Sequence, residues 1–122
     1  MILWLIYCIF DGISDAFMFY NRKTYNNQVL GHDIHVFLTG KRFIFLLPIL
    51  FIFGLKTVIA CSLVQPFIHN GFYFETRKRL DNSYPVGFFT TKEQDWSTAK
   101  IDFDNAYVRS IMFVLGLAVL WI

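Results

Sequence analysis

The chain has 122 residues, 56% of them hydrophobic and 16% charged, with fifteen Phe and a formal net charge of +2. An average soluble domain carries about 25% charged residues, so water is the wrong solvent for this composition. The small positive charge is spread along the chain and leaves no footprint for nucleic acid, and the length suits one domain with no linker or internal repeat.

Three segments meet the requirement of about 20 apolar residues for a membrane-spanning helix, at about 2–20, 43–65 and 106–122. The first carries two acids, Asp11 and Asp15. An ionised carboxylate near the centre of a bilayer costs about 2.5 to 3.5 kcal/mol on insertion scales, so each needs a partner or a task. At about 100° per residue, Trp4, Tyr7, Cys8, Asp11, Ser14, Asp15 and Met18 fall on one stripe of this helix. That stripe is expected to turn from lipid toward another helix, another subunit or a water path.

Residues 21–42 follow as a first interfacial segment, polar and then amphipathic. His32 and His35, three apart, have the spacing of a two-imidazole metal site, but no Cys or third His accompanies them locally. They read instead as histidines meeting headgroups or water.

The second helix, 43–65, is nearly continuous Leu, Ile, Phe and Val, and Pro48 predicts a bend in it. Gly54, Thr57, Cys61 and Gln65 make a small, weakly polar seam suited to close helix approach. Lys56 lies nearly opposite that seam. In a hairpin of the first two helices, Asp11 and Lys56 both fall near the midplane, which predicts a buried ion pair. Cys8 and Cys61 sit in apolar runs and read as small packing residues.

The second interfacial segment, 66–105, carries Phe72-Tyr73-Phe74 and Phe88-Phe89 as membrane-interface anchors and Tyr84-Pro85-Val86-Gly87 as a turn. Arg77, Lys78 and Arg79 beside those aromatics predict contact with lipid headgroups. Asp102-Phe103-Asp104 is similar to a glycosyltransferase DxD motif, but three residues suit an exposed strand or a helix cap equally well. The third helix, 106–122, is short and starts behind Asp104 and Asn105, both good N-cap residues. Lys and Arg near the helix ends orient 21–42 toward the cytoplasm, which puts the N-terminus outside and the C-terminus inside.

From Gln65 to Lys100, the strings Gln65-Pro66-Phe67-Ile68-His69-Asn70-Gly71-Phe72-Tyr73, Thr76-Arg77, Leu80-Asp81, Tyr84-Pro85-Val86-Gly87-Phe88-Phe89 and Ser97-Thr98-Ala99-Lys100 resemble stretches of small membrane proteins encoded by bacteriophages. That family has no assigned activity, so the resemblance implies a viral origin in a bacterial host and gives no residue a role.

The expected fold is therefore all-α, an integral membrane protein with three transmembrane helices and a short interfacial loop region, multi-pass in the inner membrane of a bacterial host. Its expected partners are the bilayer and either further copies of itself or another membrane protein, with no nucleic acid and no cofactor. No P-loop, GxGxxG, HExxH or CxxC occurs and no serine has a glycine elbow, so an enzyme is not expected. The expected function is a structural or accessory role in a membrane assembly, with self-association through polar helix faces. The alternative is a pore former of the holin type, with Asp11 and Asp15 lining a proton, ion or water path.

Overall fold

The computed structural model describes residues 1–25, 33–90 and 105–122, with side chains over 1–21, 38–90 and 105–122. The described residues form three helices, α1 (Ile2–Tyr25), α2 (Asp33–Leu80) and α3 (Ala106–Trp121), joined by turns and with no strand among them. Two stretches are long and apolar enough to cross a membrane, Ile2–Asn21 in α1 and Leu38–Leu80 in α2, while α3 is a shorter apolar helix. The expected cap holds: Asn105 is extended and its side-chain oxygen accepts from the Tyr107 N–H at 2.8 Å.

The middle helix departs from expectation. Its backbone breaks at Gly54, with φ 80° and ψ 174°, a conformation that a residue with a Cβ adopts only under strain. A straight helix would hold Arg42 and His69 about 40 Å apart at 1.5 Å per residue. Instead Arg42 Nη2 lies 2.6 Å from His69 Nε2. Leu46 and Cys61 likewise share one apolar cluster with Trp4 and Cys8, bordered by Ile49 and Val58. α2 is thus a hairpin of two antiparallel arms, 33–53 and 55–80, and the Thr57 hydroxyl donates to the Phe53 carbonyl across the turn at 3.1 Å.

This corrects the reading of 43–65 as one crossing bent at Pro48. Pro48 and Pro66 both stay inside helical arms. A proline removes one hydrogen bond but holds φ near about −65°, which a helix accepts. Gly54 is accordingly the reversal point rather than part of a packing seam, and it is exposed, with no neighbour within 4 Å of where a Cβ would stand. The interfacial segments also shrink, because 21–25 belong to α1 and both 33–42 and 66–80 belong to α2. His32, the side chain of His35 and Asp102-Phe103-Asp104 lie outside the described residues.

The second arm of α2 is the centre of the bundle. α1 runs parallel to it: Trp4 Nε1 donates to the Cys61 carbonyl at 2.9 Å, and Phe19 meets Tyr73 edge to face. Gly12 presses so close to the backbone of His69 and Tyr73 that a side chain there would clash with main chain. The first arm is antiparallel to α1 and packs Phe45 on Tyr7, ring centroids 4.6 Å apart. α3 covers the opposite side, antiparallel to the second arm, with Phe113 on Phe67 at 4.9 Å. Gly116 lies where a Cβ would approach Val64 Cγ2 to 2.7 Å and the Ala60 carbonyl to 2.9 Å. Small residues at these crossings bring the helix axes close, as in packing that does not depend on water for its drive.

Beyond α2, residues 81–90 fold over the polar end of the bundle. Tyr84 N–H donates to the Asp81 carbonyl and Thr90 N–H to the Gly87 carbonyl, so the turns fall at 81–84 and 87–90. The expected turn at 84–87 is instead a connector between them, since a residue before proline favours an extended backbone. Tyr84 and Val86 pack onto Phe74, and Ala106 N–H donates to the Thr90 carbonyl.

Outer faces are apolar. Leu3, Phe10 and Phe17 of α1, Phe43, Ile44 and Phe51 of α2 and Ile111 and Val114 of α3 are all exposed, Phe51 at 84%. Met1, Gly54 and the last turn of α3 lie at one end of the bundle, whereas the C-terminal end of α1, Leu80 and Ala106 lie at the other. Three single helices in series would leave Met1 and the last turn of α3 at opposite ends of the bundle; the reversal at Gly54 brings them to the same end.

The backbone at Gly54 generates a direct prediction. Gly54→Val destabilises the fold by about 1 to 3 kcal/mol through strain at a positive φ, whereas Gly40→Val, at an open helical site, stays within about 0.5 kcal/mol. Reversible unfolding in mild detergent, followed by circular dichroism, compares the two, and equal effects would disprove the strained turn.

Candidate functional site

Asp11 and Asp15 stand one helical turn apart on α1 and both point into the bundle, exposed by only 4% and 3%. Each arm of α2 answers them. From the first arm, Lys41 Nζ pairs with Asp11 Oδ1. Arg42 Nε donates to Asp11 Oδ2 at 2.9 Å and its Nη2 to Asp15 Oδ2 at 2.8 Å, so one guanidinium bridges both carboxylates. From the second arm, His69 Nε2 lies 3.0 Å from Asp15 Oδ2 and 3.4 Å from Asp11 Oδ2.

Local folding explains the convergence. The i, i+4 spacing of the acids aligns them on one helix face, and the Gly12 contact lets α1 approach His69 closely. Lys41 and Arg42 arrive from the opposite direction because the chain reverses at Gly54. Arg42 to Gly54 is about 18 Å along the helix and Gly54 to His69 about 22 Å, so both arms deliver their charge to a similar depth.

Two carboxylates meet one ammonium and one guanidinium, and the formal charges cancel without the imidazole. His69 Nδ1 lies 2.8 Å from Asn70 Oδ1, and its Nε2 faces both Arg42 Nη2 and Asp15 Oδ2. With a proton on Nδ1 the ring donates to Asn70 and accepts from Arg42; with a proton on Nε2 it donates to Asp15 instead. One ring proton serves one partner at a time.

Asp11, Asp15 and His69 offer ligand atoms within 4.8 Å of one another, a spacing that a metal ion could bridge. The donor chemistry is against it. Asp15 Oδ2 already receives the Arg42 guanidinium, and Asp11 holds Arg42 on one oxygen and Lys41 on the other. The chain's own cations occupy the directions a metal would take. These five side chains are engaged with one another, so the arrangement holds charge in place.

The residues singled out from sequence separate here. Asp11 and Asp15 reach the centre. Lys56 does not, because the reversal two residues earlier carries it to the turn end, where it is exposed; the Asp11–Lys56 pair is replaced by Asp11 with Lys41 and Arg42. Ser14 is also exposed, on the outer face of α1. Of the seam, Cys61 is buried and accepts from Trp4, while Thr57 and Gln65 are half-buried. Arg77 turns inward over the Tyr84 ring at 4.9 Å, whereas Lys78 and Arg79 remain exposed, the latter paired with Glu75 at 3.2 Å.

Lys41, Arg42 and His69 were missed, as was Arg109, wholly buried with its guanidinium 5.1 Å from the Phe74 ring centroid and donating to the Phe88 carbonyl at 2.9 Å. The available signal was the Lys41-Arg42 pair directly before the longest apolar run, which reads as a membrane boundary unless the helix starts earlier.

No protein-family model, curated protein or solved structure matches this chain.

The cluster predicts an asymmetry between breaking the network and removing it. Arg42→Met leaves two buried carboxylates facing one lysine and destabilises the bundle by about 3 to 5 kcal/mol. Adding Asp15→Leu to that variant restores more than half of the loss, because the unpaired charge goes with it. Unfolding free energies in detergent for the two single variants and the double variant measure this; purely additive losses would show that the charges are not coupled.

Proposed function

We propose that the chain is a multi-pass protein of a bacterial inner membrane with a structural or accessory role in a membrane assembly. One observation carries the reading: the two carboxylates buried at the centre of the bundle are met by bases of the same chain, while the outer faces present Leu, Ile, Val and Phe. In water that exterior would be a large adhesive surface. In hydrocarbon it is the ordinary lipid-facing side of a bundle, and compensated charges are the ones a bilayer tolerates.

Lengths support the same placement. The second arm of α2 measures about 39 Å and α1 about 36 Å, against a hydrocarbon core of about 30 Å, and the charge cluster falls near mid-depth. In this reading α1, the two arms of α2 and α3 each cross, although α3, at about 24 Å, is short for the task. Both termini and the Gly54 turn face one side, with only Lys56 among the basic residues near them. Apart from Lys41 and Arg42 in the central cluster, the other Lys and Arg lie at the opposite end or in segments that start and finish there, which makes that end cytoplasmic by the positive-inside rule.

The polar stripe of α1, expected to meet a partner subunit, is used up inside the chain. Contacts with further copies or with another membrane protein therefore run through the apolar exterior, where shape and small residues decide fit. A pore lined by Asp11 and Asp15 is disfavoured by the same geometry, since Arg42 and Lys41 plug the carboxylates from within.

Expressed in bacteria, the protein should stay with the membrane fraction through an alkaline carbonate wash, and tags at the two termini should share one protease accessibility in sealed vesicles. Purified protein in liposomes should add no proton or dye leak above lipid alone, and Asp11→Asn should leave that baseline unchanged. Release by the wash would overturn the membrane reading, and a leak abolished by Asp11→Asn would replace the structural role with conduction.

A further inference from the structure

Away from the buried cluster, the polar end of the bundle carries an open groove of about 510 Å³ between the last turns of α2 and the 87–90 turn. Glu75, Lys78 and Arg79 line one side of it, and Gly87 and Phe89 lie on the other. Gly87 forms the floor: a Cβ there would lie 3.6 Å from Glu75 Oε2 and 3.7 Å from Lys78 Nζ, so both charged ends converge on one point. Among the described residues Lys78 has no carboxylate at ion-pair distance. Arg79 gives Nε to Glu75 Oε1 and its side chain is 77% exposed. Phe89, a large apolar side chain, stands open at the rim.

We infer that this groove binds the phosphodiester group of an anionic phospholipid, with Lys78 and Arg79 on the phosphate oxygens, Glu75 orienting Arg79 and Phe89 set among the glycerol and acyl carbons. The inference rests on the bilayer reading above and deepens it by naming the lipid chemistry and the residues that select it. It also separates the three consecutive cations: Arg77, held inward by Tyr84, belongs to the fold, and Lys78 and Arg79 belong to the ligand.

Three physical points favour a lipid over free phosphate. The groove has the volume of a small-molecule site, typically about 300 to 1,000 Å³, but it is open, and exposed ion pairs in water contribute little by themselves. A headgroup tethered in the same bilayer arrives at an effective concentration that a dissolved ion does not reach. The guanidinium fork of Arg79 and the point charge of Lys78 match phosphate oxygens, while an aromatic ring at the rim suits the boundary between headgroup and tail.

The test uses the full chain purified in a neutral detergent and titrated with dioleoyl phosphatidylglycerol, dioleoyl phosphatidylcholine or inorganic phosphate, reading the shift of the thermal unfolding midpoint. Phosphatidylglycerol should raise the midpoint in a saturable way, at concentrations at least tenfold lower than phosphatidylcholine, and phosphate should have no effect at millimolar concentration. The double variant Lys78→Gln, Arg79→Gln should lose that preference. So should Gly87→Leu, which keeps every charge and extends a side chain into the groove. Both variants should keep the lipid-free midpoint, while Arg77→Gln should lower that midpoint and retain the lipid preference. Equal responses to the two lipids, an equal response to phosphate, or full selectivity in either groove variant would overturn the inference. Each of these outcomes is distinct from release by alkaline carbonate, which is the failure of the bilayer reading itself.

Discussion

Two carboxylates on one helix face, far from water, impose the constraint from which the rest of the architecture follows. Asp11 and Asp15 cannot be left ionised in an apolar interior, and α1 holds no base within its described side chains to answer them. The counter-charges are Lys41 and Arg42 on one arm of α2, with His69 on the other. For both arms to reach the same carboxylates the chain has to reverse between them, and Gly54 is where it does so. The hairpin, the parallel packing of α1 on the second arm and the inward turn of the polar stripe are one solution to one electrostatic problem. Buried networks of this kind are weak sources of net stability, but they penalise every arrangement that separates their members.

The apolar exterior and the charged interior invert the usual order of a soluble domain. Packing inside the bundle relies on small residues at the crossings, Gly12 against the second arm and Gly116 against Ala60 and Val64, and on aromatic pairs such as Tyr7 with Phe45 and Phe67 with Phe113. Polar surface gathers at one end, where 81–90 folds down on Phe74 and exposes Lys78 and Arg79. The molecule is thus divided along its length, with paired charge fixed in the middle and open cations at one end.

Much of this was legible in the residues alone. The three helical regions, the Asn105 cap, the burial of Asp11 and Asp15 on one stripe and the need for a basic partner all follow from composition and a period of about 3.6 residues. The partner did not follow. Lys56 was the one base inside an apolar run, so it drew the assignment, while Lys41 and Arg42 looked like a boundary. The misreading has a single cause: a lone glycine in an apolar helix usually signals close packing, and nothing local distinguishes it from a glycine at which the chain turns back. Once Gly54 is a reversal, Lys56 moves to the far end, Arg42 moves inward and both chain termini come to one side. His69 is hidden for a related reason: it lies past Pro66, beyond the apolar run, where nothing in the sequence marks the helix as continuing.

The distance between these charges along the chain also sets an order of events during synthesis. Arg42 follows Asp15 by 27 residues and His69 follows it by 54. A nascent α1 therefore carries two carboxylates, together unfavourable in lipid by about 5 to 7 kcal/mol, before any base that neutralises them has left the ribosome. On the proposed bilayer reading, the passage of α1 into lipid is coupled to the arrival of α2, so that the acidic helix and the hairpin would enter as one cooperative unit.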